Sequence, residues 1–293
     1  MANLKKIVMK QIIKRGSFLT LMFLLLGCLS LYAADNALIT RQITIKLEEA
    51  GTLPDRIASS EKYKITNLKI IGEINGTDLN MIREMAGRTA FSNYTDGKLS
   101  VLDLSEAKIV EGGGYYYYGN KSYNYYYTSN DVIGCCAFRD CSGLTSLTLP
   151  AGITKIGNGA FEGCSGLTSL NLPAGITSIG WYAFQGCSGL TSIYVYAKKV
   201  PKIGSYVFDG FDAKKCTLYV PMGTRDNYRL SGFGNYFENI VEFDATGIDK
   251  TTTSTDVEEV ARYSVNGQRL SAPTKGLNIV KYSDGSVKKV TVR

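Results

Sequence analysis

The chain has 293 residues and no histidine. That excludes a Ser-His or Cys-His nucleophile pair and any imidazole general base. It also argues against zinc, because the cysteine spacings follow a repeat period rather than paired C-x-x-C arms. No glycine-rich turn with a phosphate-loop lysine succeeds a strand; Gly112-Gly113-Gly114 leads into tyrosines instead. Neither cofactor nor metal is therefore expected. A strong net charge is lacking too. Lys5, Lys6, Lys10, Lys14 and Arg15 precede an apolar run, Phe18 to Leu31, and a small-residue cleavage site, Leu31-Tyr32-Ala33. Residues 1–34 read as a secretory signal peptide, too short in its apolar part for a membrane span. Its removal leaves 28 basic residues against 26 acidic, a charge near +2. Such a balance gives no footprint for a nucleic-acid partner. Leu25-Leu26-Gly27-Cys28 resembles a lipoprotein box, which would put a lipid anchor on Cys28. Leu26 is a poor residue there, and the residues after Cys28 are apolar rather than a polar tether.

What the chain does have is repetition. Cys141-Ser142-Gly143-Leu144-Thr145-Ser146-Leu147-Thr148-Leu149-Pro150 returns 23 residues later from Cys164 to Pro173, and again, less perfectly, from Cys187 to Val195. Ile-Gly-x-x-Ala-Phe keeps step at Ile133–Phe138, Ile156–Phe161 and Ile179–Phe184. A short fixed period means a solenoid, whose units bury their apolar faces against one another. Leu144, Leu147 and Leu149 fit a short strand entered from a bend, with Leu147 and Leu149 inward and Ser146 and Thr148 outward. Pro150 ends the strand. Ile153, Ile156, Ala160 and Phe161 fill the interior on the return path, and Gly157 and Gly180 allow a turn that a Cβ would crowd.

The pattern Leu-x-x-Leu-x-Leu-Pro-x-x-Ile-x-x-Ile-Gly-x-x-Ala-Phe-x-x-Cys resembles the BspA-like leucine-rich repeats of bacterial surface proteins. It departs from the commoner leucine-rich repeat, whose asparagine ladder would fall near Gly152. Degenerate units extend the likeness upstream through Leu99, Leu102, Leu104 and Ile109. Downstream it continues through Val200, Ile203, Val207 and Phe208 to a last strand, Leu218–Val220, closed by Pro221. The resemblance implies an α/β solenoid: a right-handed leucine-rich repeat array with short parallel strands. It also implies adhesion to host or bacterial surface components.

The expected organisation is a signal peptide (1–34), an N-terminal cap (35–95), the repeat solenoid with a C-terminal cap (96–243), a linker (244–259) and a small antiparallel β tail (260–293). In the cap, Ile43–Leu47 and Ile65–Ile71 read as strands. Thr77 reads as the cap of a helix carrying Leu79, Ile82 and Met85, stopped by Gly87. Asn266-Gly267 marks a hairpin in the tail. The pattern Tyr-x-x-Asn-Gly-x-x-Leu, then Lys-Gly-Leu-Asn-Ile-Val, then Lys-Lys-Val-Thr-Val-Arg resembles the end of type IX secretion sorting domains. That likeness implies delivery to the outer surface of a Gram-negative bacterium, or secretion from it.

Cys141, Cys164 and Cys187 share one repeat position and read as a ladder of small buried residues. Adjacent coils lie about 5 Å apart, close enough for a bridge, but three thiols cannot pair fully and Cys216 is out of register. Cys135 and Cys136 sit at variable positions and are the candidates for redox-active or cross-linking thiols.

The candidate contact residues fall in two groups. Residues 113–128 interrupt the solenoid with Tyr115, Tyr116, Tyr117, Tyr118, Tyr123, Tyr125, Tyr126 and Tyr127, eight of the chain's twenty tyrosines. Tyrosine with serine, glycine and asparagine is the composition of antibody binding loops. The insert reads either as a recognition loop or as a low-complexity expansion with tyrosines lying back on the solenoid wall. As a surface loop it would alter stability by about 1 kcal/mol or less on removal. The second group is the neutral outward strand face: Ser146, Thr148, Ser169, Asn171, Ser192 and Tyr194. The sequence-level reading is an exported protein that binds an extracellular protein or glycan without catalysis. The alternatives are a secreted carbohydrate-binding or carbohydrate-active accessory protein, for which two acids about 5–10 Å apart in a cleft would be diagnostic, and a structural envelope protein.

Overall fold

The computed structural model describes residues 37–119, 124–210, 212, 215–245, 259–264, 269–270, 272, 275–282 and 287–292. The segment read as a signal peptide, with Cys28, lies outside the described residues, as do Tyr123, most of the segment read as a linker and Asn266-Gly267. The described residues form two compact units, divided between Ala245 and Thr246.

In chain order the first unit opens with β1 (Ile43–Lys46), a short helix α1 (Leu53–Arg56), β2 (Asn67–Ile74), helix α2 (Gly76–Met85) and β3 (Val101–Ile109). A hairpin comes next, β4 (Gly112–Gly119) and β5 (Asn124–Thr128). Two-residue strands β6 (Val132–Ile133), β8 (Lys155–Ile156), β10 (Ser178–Ile179) and β12 (Lys202–Ile203) then alternate with β7 (Ser146–Thr148), β9 (Ser169–Leu172), β11 (Ser192–Val195) and β13 (Thr217–Pro221). Helix α3 (Arg225–Arg229), a 3-10 turn (Gly232–Asn235) and β14 (Asn239–Phe243) end the unit.

Two walls of parallel sheet result. One runs β1-β2-β3-β7 and continues as β9-β11-β13-β14; the other is β6-β8-β10-β12. Thr168 joins the two parts of the first wall, its N–H and Oγ1 both donating to the Thr145 carbonyl at 3.3 and 3.4 Å. The 23-residue period sets like upon like. Leu170, Ile193, Leu218 and Ile240 are register partners, as are Ile133, Ile156, Ile179 and Ile203. Leu147 and Leu149 point inward while Ser146 and Thr148 are exposed. The α/β expectation needs correction: among the described residues between Ile133 and Pro221 there is no helix, and the return path is made of turns and the second sheet. Gly157 is tight because of the neighbouring coil, since a Cβ there would stand 2.5 Å from the Cys135 nitrogen.

The interior is layered. Phe138, Phe161, Phe184 and Phe208 stack nearly parallel at 5.4, 5.3 and 5.5 Å. Phe237 closes the last ring edge-on at 4.8 Å. Cys141, Cys164 and Cys187 are buried free thiols. The Cys164 and Cys187 thiols donate to the Phe138 and Phe161 carbonyls at 3.0 and 3.1 Å. Burial raises the Cys164 thiol well above its ordinary value and pushes Cys187 to about 12.

Two end features differ from expectation. The cap of α2 is Asn75, whose side chain accepts from the Thr77 N–H at 3.0 Å, while Asp78 accepts from the Asn75 N–H at 2.9 Å. Asp78 also holds the Gly51 and Leu53 amides, so the capping box ties the α1 loop to the helix. Thr77 is already helical. Nor is Leu218–Val220 the last strand, because β14 pairs in parallel beyond it. The second unit is an antiparallel sheet, β16 (Arg269–Leu270), β15 (Glu259–Ser264), β17 (Gly276–Tyr282) and β18 (Val287–Val292) in that spatial order.

Leu170 is 1% exposed in the middle of the stack. Leu170→Ala should cost about 2–5 kcal/mol in urea unfolding, against about 0.5 for a surface site. A thiol raised by burial stabilises the fold below its ordinary value and loses that contribution as pH climbs. Unfolding free energy should therefore fall between about pH 9 and pH 12. Replacing Cys141, Cys164 and Cys187 by Ala should flatten that slope; an unchanged slope would show that the thiols do not ionise on unfolding.

Candidate functional site

The tyrosine insert is a β-hairpin rather than a loop. Tyrosine favours strands, and cross-strand pairs Tyr117↔Tyr126 and Tyr118↔Tyr125 hold it. Gly113 serves a close approach: a Cβ there would strike Asn75 and Thr77 at the start of α2. The Gly114 N–H donates to Thr77 Oγ1 at 2.9 Å and the Tyr118 N–H to the Ala90 carbonyl at 2.8 Å.

Two of the proposed contact residues are core. Tyr116 and Tyr117 are 1% and 8% exposed. Tyr116 passes under the first coil and donates its hydroxyl to the Cys135 carbonyl at 3.0 Å. Tyr117 packs on Tyr126 and under the Arg83 guanidinium. Arg83, which the sequence did not single out, is fully buried; its Nη1 donates to the carbonyls of Cys136 and Ala137 at 2.9 Å each. One buried guanidinium thus pins helix, hairpin and first coil together, and the insert is not separable from the fold. Burial is the physical reason: a hairpin lying flat on α2 and the Cys135 turn must hide one side.

The other side faces water. Tyr115 and Tyr118 meet Tyr125 at 4.8 and 5.0 Å, and Phe91 joins Tyr115 and Tyr118 at 6.0 and 5.4 Å. Phe91, Tyr125 and Tyr127 are about half exposed, and Tyr126 is partly buried. Tyr94 nearby is exposed and stacks under Arg88 at 3.7 Å.

The strand face forms two rows, paired in register on either side of the step from β7 to β9. Ser146, Ser169 and Ser192 continue to Thr217 and Asn239; Asp103, Thr148, Asn171 and Tyr194 continue to Tyr219 and Val241. Charge sits at one end only. Lys69 bridges Glu106 at 2.6 Å and Asp103 at 3.4 Å, and its hydrogen bond to Glu106 raises its pKa. The other end is aromatic: Tyr194 stacks on Tyr219 at 4.3 Å, with Phe243 edge-on to Tyr194 and Tyr196. Tyr219 escaped the sequence reading because β13 has left the 23-residue period. The structure keeps the hairpin tyrosines and the strand face as separate groups, joined by no shared contact among those described. Cys135 and Cys136 are half-buried free thiols, and burial raises Cys136 above its ordinary value.

Residues 108–228 match the family model of the BspA type leucine rich repeat region, in six copies. The repeats are BspA-type leucine-rich repeats. Among solved structures, a leucine-rich repeat protein from Bacteroides ovatus aligns with 70% of this chain at 20% identity and a TM-score of 0.35. The alignment spans 42% of that protein's own length. No curated protein matches the chain.

In this BspA-type array the hairpin is both wall and surface, and substitutions should separate the two. Tyr116→Ala should lower stability by about 3 kcal/mol or more, as for other large buried aromatics. Tyr125→Ser and Tyr127→Ser should stay within about 0.5 kcal/mol. Thermal and urea unfolding of the three variants decide the matter; equal losses would contradict the assignment.

Proposed function

We propose that the chain is an exported, non-catalytic surface protein that adheres to an extracellular protein through the outer side of the β4–β5 hairpin. The observation that carries this reading is the exposed rings of Phe91, Tyr125 and Tyr127, grouped with the half-buried Tyr115 and Tyr118 on a hairpin whose other side is core. Such rings give large contact area at small entropic cost, and their rigid mounting removes most of the ordering penalty. The polar strand face, with Ser146, Thr148, Ser169 and Asn171, is a separate surface and the alternative place for the contact. Export rests on the leader, and delivery to the cell surface on the sorting-like tail.

Screening extracellular-matrix proteins against the purified chain should find a partner. Phe91→Ser with Tyr125→Ser and Tyr127→Ser should weaken it at least tenfold, about 1.4 kcal/mol, with the melting midpoint preserved. Unchanged affinity would move the contact to the strand face around Ser169, Asn171 and Tyr194. Deleting residues 260–293 should leave melting of the first unit nearly unchanged and retain the protein in the periplasm of its host; undiminished surface exposure would falsify the sorting role.

A further inference from the structure

A second surface lies on the return side of the repeats. The residue three places after each short-strand isoleucine takes a left-handed backbone: Cys136, Gly159, Tyr182 and Tyr206, with φ of 56°, 59°, 59° and 60°. Coil-to-coil hydrogen bonds set these positions in one row. The Cys136 N–H donates to the Asn158 carbonyl at 3.0 Å, Gly159 to Trp181 at 2.8 Å and Tyr182 to Ser205 at 3.2 Å. Glycine adopts this conformation freely, whereas a residue with a Cβ resists it. Two tyrosines held there, both substantially exposed, oppose stability, and strain retained at a surface points to use.

The neighbours make a site of the row. The Tyr182 and Tyr206 rings are parallel within 6° at 5.3 Å. Trp181, the chain's one tryptophan, is 57% exposed and lies on Gly204, where a Cβ would collide with the indole. On the other side of Tyr182 the row has Gly159, so one rung of the aromatic ladder is missing. Glu162 reaches toward this gap, with Oε2 2.9 Å from the place of a Gly159 Cβ, and pairs with Arg139 at 2.6 Å. Exposed Asn158 accepts from the Trp181 N–H through Oδ1 at 2.9 Å.

We propose that Trp181, Tyr182 and Tyr206, with Glu162, Arg139 and Asn158, form a binding site for a neutral polysaccharide. Aromatic faces suit the C–H faces of pyranose rings. A carboxylate accepts from sugar hydroxyls, and guanidinium and amide donate to them. Arg139 is shared by Glu162 at 2.6 Å and Asp140 at 3.9 Å, so this cluster carries no excess of positive charge to attract an acidic chain. The coil spacing is comparable to the length of one sugar residue, so successive rings of a polymer can meet successive rungs. The site is separate from the hairpin surface and stands or falls independently of it.

Affinity electrophoresis of the purified chain against soluble β-glucan, xylan, galactomannan and α-mannan tests the site, with dextran sulfate as the acidic comparator. At least one neutral polymer should retard the chain, and dextran sulfate should not. Trp181→Ala should weaken that binding at least tenfold. Tyr182→Gly and Tyr206→Gly relieve the left-handed strain, so they should keep the melting midpoint while also losing binding at least tenfold. Tyr125→Ser should leave it unchanged. Retardation by dextran sulfate alone, by none of the polymers, or to an extent that Trp181→Ala and Tyr182→Gly both leave intact would overturn the proposal.

Discussion

The rest of this structure depends on one constraint: each coil must satisfy its backbone on the coils beside it. A thin solenoid has no distant core to lean on, so its buried donors find partners in the turns of their own coil or one period away. The chain meets the need twice at each of four successive steps. Backbone amides cross from coil to coil, and a hydroxyl repeats the crossing. Ser100 donates to the Thr66 carbonyl, Thr145 to Ser100, Thr168 to Thr145 and Thr191 to Thr168, all within 3.4 Å. The hydroxyl row crosses from the degenerate coils into the regular repeats without a break. That continuity explains how units with little sequence in common share one sheet.

The same constraint accounts for the shape of the interior. Once register is fixed, each residue type meets its own kind: phenylalanine on phenylalanine, cysteine beside cysteine. Glycines mark places where one coil's backbone touches the next. Gly166 and Gly189 stand where a Cβ would strike the carbonyls of Ser142 and Ser165. These are contacts between neighbours in space, so they recur at the repeat period.

That is why the repeats were legible from sequence and the ends were not. Leu147, Leu170 and Phe161 announce their burial through periodicity, and the exposure of Ser169 and Asn171 stems from strand alternation. The second sheet was missed because two-residue strands such as Lys155–Ile156 leave no alternation to read. Asn75 was passed over for Thr77 because either can cap a helix, and only the backbone decides between them. The candidate surface was read in part. Eight clustered tyrosines drew notice, but composition cannot say which side of a hairpin is covered. That depended on Arg83, 33 residues before Tyr116, and on carbonyls of a turn that no local pattern links to it. Phe91, Tyr219 and the Trp181 row lay outside the reading for a related reason: each gains its meaning from a neighbour on another coil or loop.

Rigid mounting of the exposed rings requires that the hairpin belong to the stacked core. Native-state hydrogen exchange tests this directly. The Tyr118 amide, donated to Ala90, should exchange with an opening free energy within about 1.4 kcal/mol, tenfold in rate, of the Phe161 amide, donated to Ala183. Exchange of Tyr118 more than about a hundredfold faster, with Phe161 still protected, would show a hairpin that opens on its own and would contradict the claim.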